Sequence, residues 1–177
     1  MTILRARFTA DAGGPAASRA ALRYAVTRPN REGQRVERAV FGADELDVAA
    51  VRAQLDAARG AHHYRVVLNP GAGQHPVDQR DWTRDVMAAI AERQESEVAW
   101  LAVEHRDHAQ HDHVHVVAAT PGRLSRADLH TLREMADQSW ERHAGWARAL
   151  DLEAVQEPAQ PQAERSRALT RIGGWDR

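Results

Sequence analysis

The sequence predicts an α+β fold, a central and mostly antiparallel sheet of about five strands with helices packed on it. Three observations carry this. Strand-like and helix-like segments alternate along a chain of 177 residues, a length that suits one domain. Two strand-like segments, 97–105 (EVAWLAVEH) and 112–120 (DHVHVVAAT), are separated by only six residues. A parallel crossover takes about ten or more residues, so these two form an antiparallel hairpin. Both also hold short continuous apolar stretches, which places them centrally in the sheet.

In chain order, 2–8 (TILRARF) alternates apolar and polar residues as a half-buried strand does. DAGGPAA is a turn that opens a helix, with Pro15 near its first position. Residues 16–28 are helical, and PNREGQ (29–34) ends the helix. Residues 35–41 (RVERAVF) read as a short strand, and 43–60 as a helix. In that helix Leu46, Ala50, Val51 and Leu55 share a face, and Gly60 stands at the C-terminal stop. Residues 62–69 (HHYRVVLN) are a strand, 70–75 (PGAGQH) a loop and 77–94 an amphipathic helix. After the hairpin, 124–150 is helical, with Ser125 and Asp128 in capping-box spacing. Trp140 and Trp146 read as core of that helix, with a stacking platform as the alternative reading. Residues 1–150 form the folded domain, and 151–177 read as a linker or C-terminal tail.

Composition excludes several classes. There is no cysteine, hence no disulfide framework and no thiolate metal site. No apolar run is long enough to span a bilayer, and the N-terminal stretch lacks the apolar core of a secretory leader. A cytoplasmic protein without membrane insertion is expected. The net charge is −1 and every one of the 24 basic residues is arginine. Their distribution is uneven: residues 1–40 hold eight arginines (5, 7, 19, 23, 28, 31, 35, 38) against three acids (Asp11, Glu32, Glu37). A basic segment on a near-neutral protein suits a phosphate-bearing ligand held on one side. A solvated charged face is the alternative reading.

Residues 105–117, HRDHAQHDHVHVV, contain five of the ten histidines. Side chains alternate across a strand, so His113 and His115 share a face while Asp112 and Val114 take the other. His105 ends the preceding strand, across the hairpin. Three imidazoles can therefore converge on one point, a suitable donor set for a first-row divalent metal with positions left for substrate oxygens. His108 and His111 fall in the connecting loop and read as solvated. The chain has two tyrosines. Tyr64 sits in an apolar strand and reads as core. Tyr24 lies in the basic segment between Arg23 and Arg28, cations that can hold a phosphate.

LRY, then HHYRVVLNP, then WLAVEH and HVHVV, in that order over roughly residues 16–120, resemble the mobilisation relaxases of the HUH endonuclease superfamily. These are the DNA-nicking domains of conjugative and mobilisable plasmids and other mobile elements. The turn RDHAQHD and the alanines at 118 and 119 depart from that family's pattern. The resemblance implies an antiparallel sheet with the histidines on its central pair. It also implies a chemistry, in which Tyr24 attacks a DNA phosphodiester to give a 5′-phosphotyrosyl enzyme and a free 3′-hydroxyl. His105, His113 and His115 would hold Mg²⁺ or Mn²⁺. Glu104 or Asp107 would orient a ligand imidazole. Arg23, Arg28, Arg31 and Arg35 would track the backbone of single-stranded or unwound DNA at an origin of transfer, alongside accessory transfer proteins. Two alternatives remain at this level: a non-catalytic DNA-binding module that keeps the fold and metal site, and a histidine-metal hydrolase of another substrate with water as nucleophile.

Overall fold

The computed structural model describes residues 2–43, 47–71, 78–107 and 112–156, with the side chains of 11 and 151–156 left aside. The expected loop from residue 72 to 75, the helical position Leu46, the loop histidines His108 and His111, and the tail from 157 onward lie outside the described residues.

The architecture is α+β. Five strands, β1 (Ile3–Thr9), β2 (Val40–Phe41), β3 (His62–Asn69), β4 (Ala99–His105) and β5 (His113–Thr120), form one sheet in the order β1-β3-β5-β4-β2. Every neighbouring pair is antiparallel. The β4–β5 hairpin is central, with β5 hydrogen-bonded on both sides. Helices cover both faces. On one, Tyr64, Val66, Leu68, Ala102, Val114 and Val116 pack with Trp82, Val86, Met87 and Ile90 of α3 (Gln79–Arg93) and Leu132, Ala136 and Trp140 of α4 (Arg126–Gln156). On the other, Leu101, Val103, Val117 and Ala119 pack with Leu22 and Ala25 of α1 (Gly14–Thr27) and Leu55 of α2 (Val48–Ala57). Burial on both faces is why β4 and β5 are written as near-continuous apolar runs. Among the described residues no helix is long and apolar enough to cross a membrane.

Local chemistry sets the helix ends. Pro15 sits in the first turn of α1, where its missing N–H leaves no bond unmade. The Asp78 carboxylate accepts the N–H groups of Arg80 and Asp81 at the start of α3. At α4 the expected capping box forms, Ser125 N–H to Asp128 Oδ2 at 2.8 Å and Asp128 N–H to Ser125 Oγ at 3.1 Å. Gly60 takes φ +83° after α2, a conformation cheap only for glycine.

Four expectations need correction. The helix expected from residue 43 begins at Val48, because Asp47 is its cap and accepts from Ala49 and Ala50; Ala50 is exposed rather than on the buried face. The strand expected over 35–41 shrinks to Val40–Phe41, with Arg35 in an isolated bridge to Pro29. The intervening chain is engaged elsewhere: Arg38 N–H donates to the Val26 carbonyl of α1. α4 does not stop near 150 but runs to Gln156. Trp146 is 59% exposed, unlike Trp140, which is buried edge-on against Trp82 with centroids 4.8 Å apart. Ala144 is the last buried residue described on α4, so the helix outruns the core before Trp146.

α1 is seated by a close approach. His63 is buried beneath its first turns, with Nε2–H donating to the Ala58 carbonyl at 2.9 Å and Nδ1 accepting from Ser18 Oγ at 2.9 Å. A Cβ on Gly14 would run into this ring. Gly14→Ala is therefore expected to destabilise the fold by about 1–3 kcal/mol, the usual cost of overpacking, read as a lower urea midpoint with unchanged slope. An unchanged midpoint would mean that the ring gives way freely.

Candidate metal centre

β4 and β5 pair with His105 opposite His113 and Val103 opposite His115. The two-residue period puts His105, His113 and His115 on the face covered by α1 and α2. Their ring centroids lie 4.7–5.1 Å apart. One nitrogen from each lies within 4.8 Å of the others. Metal–nitrogen bonds are about 2.1 Å long, so modest ring rotation closes this set around one ion.

The surroundings leave two ring nitrogens unsatisfied. His105 is fully buried and its Nε2–H donates to the Ala25 carbonyl at 2.7 Å. That carbonyl is free because the residue four ahead is Pro29, which has no N–H to close the last helical bond. The bond fixes the His105 tautomer and leaves Nδ1 as an acceptor. His105 Nδ1 and His115 Nε2 are both buried without a hydrogen-bond partner among the described residues. Buried polar atoms are normally satisfied, and two orphaned nitrogens on the rings of one cluster fit a cation. Burial brings His105 down to about 4, against the opposing effect of the Ala25 hydrogen bond. Burial brings His115 down to about 3, reinforced by His105, His113, Arg28 and Arg38. At neutral pH both rings are neutral, the form that binds metal.

These shifts predict acid sensitivity of the metal-free protein. An unfolded histidine takes its proton near pH 6.5, whereas the folded rings resist until pH 4 to 3. The unfolded chain thus binds more protons across that window, and stability falls as pH drops from 6.5 towards 4. A loss on the order of 3 kcal/mol between pH 7 and 4.5 is expected in urea melts with chelator present. Equal stability at the two pH values would contradict the buried, neutral cluster.

Around the cluster the other candidate residues divide. Glu104 does not approach an imidazole; it lies on the opposite sheet face, bonded to Arg106 at 2.6 and 2.9 Å and 3.8 Å from Arg80 of α3. Asp107 follows β4, but its carboxylate is held by Arg38 through Nε at 3.1 Å and Nη2 at 2.8 and 2.9 Å. It acts on His105 only through its field, favouring the protonated ring. Arg38 was not singled out from the sequence as a site residue. It also donates to the Arg28 carbonyl at 2.7 Å, so it ties the turn after α1 to the end of β4. Nothing local in the sequence pairs position 38 with position 107.

Tyr24 is 53% exposed on α1, directly before Ala25. The Arg28 guanidinium lies 5.4 Å from its ring centroid. Arg28 also adds to the depression of His115, so the field of this one cation reaches both the phenol and the cluster. Arg23 is exposed and lines a cleft of about 290 Å³ between α1 and α2 with Arg19 and Arg52. Arg31 is exposed, and its N–H donates to the Asp107 carbonyl at 3.1 Å. Arg35 is exposed beside Pro29. Tyr64 is buried and its hydroxyl accepts the Leu124 N–H at 2.7 Å, a structural role. Comparison of the chain with protein-family models, curated proteins and solved structures gives no match.

Proposed function

We propose that the chain is a metal-dependent single-strand DNA endonuclease and strand transferase of the relaxase type, with an HUH-endonuclease-like fold, acting in plasmid or mobile-element transfer. The observation that carries the reading is the cluster of three strand-borne imidazoles with two orphaned nitrogens, next to a helix that presents an exposed tyrosine beside a guanidinium. The resemblance of LRY, HHYRVVLNP, WLAVEH and HVHVV to relaxases supports the same reading.

His105, His113 and His115 would hold the ion. An all-nitrogen set suits Mn²⁺ better than Mg²⁺, and Zn²⁺ or Ni²⁺ better still in affinity. Bound there, a divalent ion supplies a Lewis acid for a non-bridging phosphate oxygen. The chain's own groups do the rest. The Tyr24 phenol oxygen attacks phosphorus, the bond to the 3′-oxygen breaks, and the phenol proton leaves as the 3′-hydroxyl is formed. The phosphotyrosine ester keeps the bond energy, so the 3′-hydroxyl can reverse the step without a nucleotide cofactor. Arg28 beside the phenol offsets phosphate charge. Fixing His105 through Ala25 keeps its acceptor nitrogen turned inward.

The test is a covalent band. Incubation with single-stranded DNA of random sequence and Mn²⁺ is expected to give a detergent-resistant protein–DNA adduct that chelator prevents. Binding without adduct at any metal concentration would favour the non-catalytic module, and metal-dependent hydrolysis without adduct would favour water as nucleophile.

A further inference from the structure

The sheet face that carries the histidines is not wholly covered. Towards the β1 edge its outward residues are Ile3, Arg5 and Arg7 on β1 and Arg65 on β3, all exposed. The register joins them to the cluster. Arg5 pairs with Val67, which pairs with His115. Arg7 pairs directly with Arg65, which pairs with Val117. With strands about 4.8 Å apart, Arg5 stands about 10 Å from His115 in the same rung, and Arg7 and Arg65 lie about 7 Å further along the strands.

Folding gives no reason for this arrangement. Like charges directly opposite one another in an antiparallel pair are destabilising. Neither β1 nor β3 contains an acid, and among the described residues none of the three guanidinium groups has a hydrogen bond or ion pair. Charge on an edge strand does guard against aggregation, which accounts for Arg5 and Arg7. It does not account for Arg65, which lies on the second strand.

We propose that Arg5, Arg7 and Arg65 form a platform that holds consecutive backbone phosphates of the single strand as it leaves the histidine cluster; this rests on reading the chain as a single-strand DNA nickase. The site is an open two-strand surface, so it fits an extended polyanion better than a small enclosed anion. Among the described residues β1 and β3 place no exposed aromatic side chain on that face, so the platform grips phosphate rather than stacking bases, and it is indifferent to sequence. It moves the main phosphate track away from Arg31 and Arg35, which lie on the other side of the cluster in the turn after α1.

The experiment measures binding of fluorescein-labelled oligothymidylate across a salt series in Mn²⁺. Arg5→Ala/Arg7→Ala/Arg65→Ala is compared with the corresponding triple lysine variant and with Arg126→Ala, which removes one exposed charge on α4, across the sheet. At about 0.7 per phosphate contact, the triple alanine variant should flatten the log–log salt slope by about 2 and weaken binding about 100-fold near 0.1 M salt. The lysine variant should restore most of the slope, and Arg126→Ala should leave it unchanged. An unchanged slope in the triple alanine variant overturns the platform, as does a lysine variant no better than alanine. Polyglutamate displacing the strand at equal charge concentration overturns nucleic acid as the occupant. The adduct assay is read separately: its failure with the slope difference intact removes the nickase reading and leaves the platform standing.

Discussion

Tyr24→Phe is expected to abolish the protein–DNA adduct, lowering the rate of its formation by about 10⁴-fold or more, as loss of a covalent nucleophile does. The substitution removes one oxygen from a side chain that is 53% exposed. It keeps the ring against which Arg28 rests at 5.4 Å. Fold stability, Mn²⁺ affinity and DNA affinity should all stay near wild type, because the phenol contributes bond formation and little ground-state binding. Tyr64→Phe gives the opposite profile. It strips the acceptor from the buried Leu124 N–H, which costs about 1–3 kcal/mol of stability and should leave adduct formation nearly intact. The paired gels and melts check this. If Tyr64→Phe loses the adduct and Tyr24→Phe keeps it, the nucleophile is misassigned while the metal centre stands.

The second large effect concerns the metal. His115→Leu should weaken Mn²⁺ binding by at least about 100-fold, more than the usual cost of disturbing a residue behind a ligand. It should take adduct formation down with it. Its effect on the metal-free fold is expected to be small, because the lost Nε2 is buried and unpartnered and an apolar group of similar size replaces an unsatisfied one. The acid-induced loss of stability should shrink as well, since a ring whose protonation is held down to about 3 is gone. Isothermal titration with Mn²⁺ and urea melts at two pH values decide it. Wild-type affinity in His115→Leu would mean the cluster binds no ion through this ring.

The hairpin and the shared face of the histidines were legible because both follow from short-range rules. A six-residue gap forbids a parallel crossover, and alternation along a strand fixes which side chains point together. The same alternation, applied strictly, would have excluded Glu104, which neighbours His105 and must face the other way. Other features were out of reach. The strand order places β3 between β1 and β5, so the cross-strand meeting of Arg7 and Arg65 depends on tertiary pairing. The clamp of Arg38 on Asp107 joins residues 69 positions apart. β2 is short because the Arg38 peptide group before it bonds to α1, and single-strand propensity cannot register such competition.

The last turn of α1 holds Tyr24 and Ala25 in succession, one bearing the phenol and the other the carbonyl that turns the His105 ring. The proposed nucleophile and the carbonyl that orients the proposed ligand therefore share one rigid body and have no independent adjustment. A residue inserted between them would swing the phenol about 100° around the helix axis while the carbonyl stayed on the ring. Pro29 makes the spacing stricter still, because it frees the carbonyl four residues before it and no other. The alignment of phenol and imidazole is thus a matter of counting along the chain, and this stretch of α1 should be the least tolerant of length changes in the protein.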